Sequence, residues 1–325
     1  MKRIAITGAC GQISYSLLFR LINGDLFGKN EKIKLHLLDL PQFEEVLKAI
    51  EMELKDCASP ILDEVIIGSN PFKVFEGINY AFLVGAKPRG PGMERNELLH
   101  ENAKIFSLHG NALNETADKN VKVLVVGNPC NTNCLIAQKS APSINPLNFH
   151  AMMRLDENRA KALLAEKSGF EVSKITDMTI WGNHSVTQVP DFYNAKIDGK
   201  DVLNVIKDEE WLKDEFIKSV QQRGASVIAK RGKSSAASAA CAAVDAMKAL
   251  HFPTKPDNFY STAYLSDGNS YGIADQLVFS FPSRTLEDGT IEVVKNLDWN
   301  EFLRQKIILT QNELKEERDL IKELL

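Results

Sequence analysis

Over roughly its first 130 residues the chain alternates short, continuous apolar runs with amphipathic stretches, and few architectures accommodate that order. The runs at 2–7, 35–40, 64–68, 80–85 and 121–127 are β-branched or Leu-rich and end at Gly, Asp or a turn. A strand covered on both faces reads this way, whereas a strand with one wet face alternates apolar and polar residues. Between the runs, 13–26, 43–57 and 98–119 are helix-like. Strand and helix repeated in this manner predict an α/β fold with a doubly wound parallel sheet.

After Pro146 the pattern changes. Helices are expected at 156–168, 211–230, 234–249 and 299–325, and strands at 174–181, 191–197, 269–280 and 289–294. The 234–249 stretch is nearly free of bulky side chains and should pack closely on a neighbour. The mixed order predicts an α+β domain, with the boundary near residue 150: 1–150 as the doubly wound domain, 151–325 as the α+β domain. A chain of 325 residues agrees with two domains at about 150 residues each. No internal repeat and no long heptad series interrupts this reading.

Composition excludes several function classes. Charged residues make up 25% of the chain and the net charge is −4, so the basic face that nucleic acid or an anionic membrane needs is not expected. No apolar run approaches the roughly 18 residues of a membrane span, and Met1-Lys2-Arg3 runs straight into a strand rather than a signal peptide. Five Cys at irregular spacing (10, 57, 130, 134 and 241) suit reduced thiols in the cytoplasm. Cys130 and Cys134 lack the His or second Cys pair of a zinc set, so no metal is expected and both are read as small, half-buried side chains.

Four segments carry candidate chemistry. In Ile4-Ala5-Ile6-Thr7-Gly8-Ala9-Cys10-Gly11-Gln12-Ile13-Ser14 a strand enters a Gly turn and opens a helix. Gly8 suits the tight turn, and Gly11 lets backbone approach a pyrophosphate seated on the helix amides. Ser14 stands where this fingerprint has its third Gly. Asp39 ends the second strand about 25 residues further on, near the spacing of an acid that binds the adenosine ribose. A carboxylate there repels a 2′-phosphate and favours NAD over NADP.

The second segment, Gly85 to Asn96, sets Arg89 and Arg95 around Gly and Pro residues directly after a strand. Such a loop can open and close, and guanidinium forks match carboxylates. In the third, Val126-Gly127-Asn128-Pro129 ends another strand, and Asn128 is either a crevice-facing amide or an Asx-turn before Pro. Farther on, Asp156 and Arg159 stand three apart on one helical face, an intrahelical pair by spacing alone. In the fourth, Trp181-Gly182-Asn183-His184-Ser185, a His follows an apolar strand.

Taken together, these strings resemble the lactate/malate dehydrogenase family, and within it the cytosolic malate type. Thr-Gly-Ala-Cys-Gly-Gln-Ile, Pro-Arg-Gly-Pro-Gly-Met-Glu-Arg, Val-Gly-Asn-Pro-Cys-Asn-Thr-Asn, Arg-Leu-Asp-Glu-Asn-Arg-Ala and Ile-Trp-Gly-Asn-His-Ser occur in the family's order across essentially the whole chain. The resemblance implies a Rossmann-type NAD domain, oxidation of malate to oxaloacetate as in the tricarboxylic acid cycle, a cytoplasmic location and a homodimer. It implies that His184 exchanges the substrate proton and that Asp156 holds its imidazole. Arg159 is then expected to bind the C1 carboxylate, Arg95 to polarise the C2 oxygen, and Arg89 to bind the distal carboxylate. Asn128 is expected to touch substrate and cofactor. Gly8, Gly11, Gln12, Ile13, Ser14, Asp39, Asn102, Val126 and Gly127 are expected to line the cofactor. His109 stands where relatives often carry Gln, and no cofactor contact is assigned to it.

Rival readings meet specific obstacles. Short-chain dehydrogenases and epimerases need Tyr followed four residues later by Lys, and none of the six Tyr has that partner. A lactate enzyme of this family carries Gln in place of Arg89. A catalytically idle NAD-binding protein has no reason to keep His184, Asp156 and the three Arg together.

Overall fold

The computed structural model describes residues 1–88, 94–256 and 258–325, with Arg95 described in its backbone alone. Two compact units emerge. The first holds Met1–Ala151, Ala236–Lys248 and Glu317–Leu325; the second holds Met152–Ser235 and Ala249–Glu316.

In the first unit the elements run β1 (Lys2–Thr7), α1 (Gln12–Ile22), β2 (Ile33–Leu38), α2 (Glu44–Asp56), β3 (Leu62–Gly68), α3 (Pro71–Val74), β4 (Tyr80–Leu83), α4 (Arg95–Thr116), β5 (Lys122–Val125), α5 (Cys130–Lys139) and β6 (Phe149–Ala151). The six strands are all parallel, in the order β6-β5-β4-β1-β2-β3. That is the doubly wound order expected from the apolar runs. Ile4, Ala5, Ile6, Leu35, Leu37, Phe82, Leu83, Val123 and Leu124 have no exposed surface, which is why no alternation marks these strands. The order reverses between β1 and β4, and in open α/β sheets ligands bind outside the strand ends at such a point.

α5 follows directly on the turn at Asn128, where no helical stripe is legible in the residues. Its residues from Cys130 to Ala137 are all buried, and a helix covered all round has no polar face to betray its period. This also corrects the reading of Cys130 and Cys134 as half-buried: they are 1% and 0% exposed. The small-residue stretch forms α10 (Ala237–His251), whose Ala240, Ala242 and Ala243 are fully enclosed.

The second unit begins with α6 (Arg154–Ser168), followed by β7 (Ile175–Thr176), β8 (Thr179–Trp181), β9 (Val189–Asp191), β10 (Lys196–Ile197), β11 (Lys200–Asp201), α7 (Val202–Val205), α8 (Glu209–Trp211) and α9 (Ile217–Arg231). β12 (Tyr260–Leu265), β13 (Val278–Thr285), β14 (Ile291–Val293) and α11 (Glu301–Leu320) complete it. The expected strand 174–181 is two strands in different sheets, broken at Asp177 with φ +57°. The expected strand 191–197 also breaks, because the Asp191 carboxylate accepts from the Tyr193 and Asn194 amides and closes a turn. The expected strand 269–280 lies instead at Val278–Thr285, paired antiparallel with β12. Asn269 belongs to the preceding turn, donating its side-chain amide to the Ser266 and Ile273 carbonyls. Trp181, Val189, Tyr264, Phe279, Phe281, Leu303 and Ile307 form the core that joins β8, β13 and α11. No helix among the described residues is long and apolar enough to cross a membrane.

Candidate active site

The first unit presents a phosphate-sized cradle at the end of β1. Gly8 has φ +60°, and a Cβ built on it would stand 2.6 Å from the Gly85 Cα, so the β1 and β4 ends touch backbone to backbone. The Gly85 amide donates to the Thr7 hydroxyl at 3.0 Å, and the Gly11 amide to the Gly8 carbonyl at 2.9 Å. Gly11 then caps α1 without any side-chain bond, and no acidic residue lies in the first turn. The first amides of α1 are thereby left for an anion, which the helix dipole also favours. Gln12 is exposed and Ile13 half-buried beside them. Ser14 is fully buried, and its hydroxyl donates to the Thr7 carbonyl at 3.4 Å. It therefore occupies the helix–strand contact that the missing Gly serves elsewhere.

Asp39 directly follows β2. One carboxylate oxygen accepts from the Cys10 amide and the other from the Leu40 amide, both at 2.8 Å. The acid is thus oriented by the Gly loop itself while each oxygen keeps a lone pair for another donor. The Cys10 thiol is pushed up to about 12 by burial and by the Asp39 charge, so it stays a neutral wall of the cradle. These features (a Gly contact that a Cβ would fill, an uncapped helix start and an oriented carboxylate) fit a dinucleotide.

At the end of β5 the Val126 and Gly127 amides both donate to the Leu83 carbonyl. The Asn133 amide group holds the Gly127 carbonyl at 2.9 Å, and Asn128 is exposed before a cis bond to Pro129. Asn102 is placed differently from a surface contact. It is fully buried, its oxygen accepts from the Lys87 amide at 2.8 Å, and its nitrogen donates to the Lys87 and Leu98 carbonyls. Its side chain ties the segment after β4 to α4. His109 sits edge-on to Phe75 and Phe106, and burial lowers it to about 4. Arg89 lies outside the described residues, as does the side chain of Arg95, whose backbone opens α4.

The second unit brings three of the expected residues together. Asp156 and Arg159 share one face of α6, where the Arg159 guanidinium donates to Asp156 Oδ1 at 3.1 Å. The other carboxylate oxygen, Oδ2, takes the hydrogen bond of His184 Nδ1. Asp156 has no exposed surface, whereas the His184 side chain keeps 18%. Burial works against charge on both groups. In His184 it is outweighed by the charge and hydrogen bond of Asp156, and the imidazole is raised above its usual value. In Asp156 it is outweighed by His184 and then Arg159, and the carboxyl is held below its usual range. With Nδ1 committed to Asp156, proton exchange at this ring falls to Nε2.

Three further groups in and beside this cluster are assigned no role from sequence. Gln188 donates to Asp156 Oδ1 at 3.3 Å, and its own carbonyl is fixed by Gln221 at 2.8 Å. Ser235 accepts from the second terminal nitrogen of Arg159 at 3.3 Å. Glu157, fully buried, binds the Ser261 amide and Lys161, with Arg154 beside it. The sequence hints are position alone: Glu157 lies beside Asp156 in the Arg154–Arg159 string, and Gln188 lies close to His184. Among the described residues no group of three His, Cys, Asp or Glu is placed to hold a metal ion.

Comparison with known proteins agrees with this geometry. Residues 2–150 match the lactate/malate dehydrogenase NAD binding domain, and residues 153–325 match the alpha/beta C-terminal domain of the same family. The chain is 54% identical to a malate dehydrogenase of Protochlamydia amoebophila, covering 99% of this chain and 98% of that protein. It is 51% identical to a chloroplastic NADP malate dehydrogenase of Sorghum bicolor, over 100% of this chain and 76% of that one. Solved structures that resemble it include a Trichomonas vaginalis lactate dehydrogenase in complex with NADH and oxamate. That structure has TM-score 0.95 and 38% identity, and the match covers 100% of this chain and 99% of the other. Malate and lactate enzymes, and NAD and NADP users, thus surround the chain, and their common denominator is plain: it belongs to the lactate/malate dehydrogenase family.

Proposed function

We propose that the protein catalyses the reversible, NAD-dependent oxidation of (S)-malate to oxaloacetate. The observation that carries this reading is the Asp156–His184–Arg159 cluster: a raised imidazole, a buried carboxylate that orients it, and a guanidinium beside both. Arg159 binds the C1 carboxylate, and Arg89 the second carboxylate that distinguishes a dicarboxylate from lactate. In malate oxidation, neutral His184 accepts the C2 hydroxyl proton at Nε2, and the resulting imidazolium is stabilised by Asp156. In the reverse direction protonated His184 returns that proton, and Arg95 stabilises the charge developing on the oxygen. The nicotinamide, when bound, supplies a hydride acceptor or donor at C4. Gly8, Gly11, Gln12, Ile13 and Ser14 hold the pyrophosphate side, Asp39 the ribose hydroxyls, and Val126, Gly127 and Asn128 the nicotinamide side. Asn102 contributes through the Lys87 backbone that it holds.

The choice of NAD over NADP rests on Asp39, whose carboxylate opposes a third phosphate at the ribose. Choice of malate over lactate rests on Arg89. Absorbance in the NADH band, with malate and lactate crossed against NAD and NADP, tests both at once. Equal rates with lactate, or equal use of NADP, would overturn the corresponding half. Two further expectations belong to the same reading. A homodimer is supported by Phe43, Val46 and Met52, which stand exposed at and along α2, and sedimentation velocity tests it. A cytoplasmic role in the tricarboxylic acid cycle is supported by five cysteines that form no disulfide, and fractionation of the source cell tests it.

A further inference from the structure

His184 is borne on a short segment, 182–187, that a single face of α11 grips at several points. Gly182 has φ +91°, and a Cβ there would lie 2.2 Å from the Thr310 side chain, so the helix touches the segment's backbone directly. The Asn183 amide donates to the Thr310 hydroxyl at 2.9 Å. One turn further along α11, a single carboxylate oxygen of Glu313 receives the Asn183 side-chain amide at 3.0 Å, the Ser185 hydroxyl at 2.5 Å and the Thr187 hydroxyl at 2.6 Å. The Thr187 and Thr310 hydroxyls are 2.9 Å apart. Each hydroxyl has one proton. Those of Ser185 and Thr187 go to the carboxylate, the stronger acceptor, and that of Thr310 remains for Thr187. The Thr187 amide closes the ring on the Ser185 hydroxyl at 3.0 Å. Between the held residues only Val186 stands out, 66% exposed.

We infer that Glu313, with Thr310, is a positioning residue for His184: it fixes the backbone on both sides of the imidazole. Asp156 holds the ring at Nδ1, and the direction of Nε2 then depends on where the backbone carries the ring. Residues 183, 185 and 187 bracket His184, and all three converge on Glu313. The second anchor therefore sets where Nε2 points. Placement on this scale is worth much in rate, since an error of about 1 Å can cost on the order of 100-fold. Neither Glu313 nor Thr310 needs to meet substrate for this.

The inference rests on His184 being the proton-exchanging group, and the test separates the two. Single-turnover oxidation of NADH by excess oxaloacetate is followed by stopped flow in Glu313→Ala, Glu313→Gln, Thr310→Val, Ile307→Ala and His184→Asn, with NADH affinity measured by fluorescence. Glu313→Ala should slow the turnover about 10-fold or more, with KM for oxaloacetate and NADH affinity within about twofold. Glu313→Gln keeps an acceptor oxygen in place and should recover most of the rate. Thr310→Val, nearly isosteric, should fall between them. Ile307→Ala weakens the same helix in the core and should lower Tm without slowing the folded enzyme. A turnover within twofold of the wild type in Glu313→Ala and Thr310→Val overturns the inference, as does equal slowing in Ile307→Ala. Should Glu313→Ala not fold, the Gln and Val variants decide. If His184→Asn keeps full rate, the assignment of His184 fails, and the inference falls with it.

Discussion

Asp156 and His184, 28 positions apart in sequence, share a hydrogen bond from which both take their ionisation state. The carboxylate is fully buried and the imidazole is its nearest cation when protonated. Replacing Asp156 by Asn keeps the shape but removes the charge and offers Nδ1 the wrong partner half of the time. Oxaloacetate reduction in Asp156→Asn should fall about 10²- to 10³-fold in kcat, within the range that a positioned proton donor contributes. Steady-state rates at saturating NADH check it; a loss below tenfold would sink the role.

The pH profile follows from the direction of the His184 shift. Its pKa is raised, burial being outweighed by Asp156. Reduction of oxaloacetate needs the protonated ring, so it should persist above the ordinary His value near 6.5 and decline as pH rises through the raised value. Malate oxidation needs the neutral ring and should rise over that same window. In Asp156→Asn the support is gone, so the decline in reduction should move to lower pH. Profiles of kcat/KM in both directions, wild type beside variant, read this directly.

Arg159 is shared between Asp156 and Ser235, which fixes its fork in place before any substrate arrives. Arg159→Ala should raise KM for oxaloacetate and cost about 3 kcal/mol in kcat/KM, the scale of a truncated charge-assisted pair. Arg159→Lys keeps the charge but loses the planar fork, and should recover only part of the loss. An unchanged KM in the Ala variant contradicts the assignment.

Asp39 makes a separable claim. On the proposed reading, in which Asp39 faces the ribose, Asp39→Ser removes that negative charge, so the ratio of kcat/KM with NADP to that with NAD should rise at least about tenfold, or ~1.4 kcal/mol. Because Asp39 also holds the Cys10 amide, absolute rates with NAD should fall as well. Initial rates with both cofactors suffice.

A stability pair tests the contact at the sheet's switch point. Gly8→Ala meets both a positive φ and the Gly85 backbone, whereas Gly28→Ala meets a positive φ with nothing within 4 Å. Strain alone costs about 1 kcal/mol, and enforced overlap adds about 1–3 kcal/mol. The first substitution should therefore lower the free energy of unfolding by roughly 3 kcal/mol, and the second by about 1, in urea titrations.

What sequence could and could not disclose follows from the physics of each element. The five apolar runs of the first half became β1 to β5: β1, β2, β4 and β5 are covered on both faces and have no competing pattern to obey, while β3, at the sheet's edge, is only half-buried. The α6 pair announced itself by spacing, though spacing alone read only as an ion pair; its meaning came when His184 closed on the same carboxylate. β12 escaped notice because Tyr260-Ser261-Thr262 mixes polar side chains into a buried strand, and they find partners far away in sequence, as the Ser261 hydroxyl does in the Ile180 amide and the Met178 carbonyl. Asn102 is expected at the cofactor, and its side chain bonds the Lys87 and Leu98 backbone. No residue-type argument could tell those apart, since an amide serves backbone and ligand equally well. Gln188 and Glu313 lay beyond sequence reasoning for the same reason.

One further consequence belongs to α6. Asp156 and Arg159 are separated by three residues on a continuous helix, a rise of ~4.5 Å along its axis. In the proposed reaction, one of them orients the proton-exchanging ring and the other grips the substrate's carboxylate. The span between anchor and proton acceptor is therefore graduated by the helix itself. Any shift of α6 carries both marks of the ruler at once, and the measure it applies to a 2-hydroxy acid does not change.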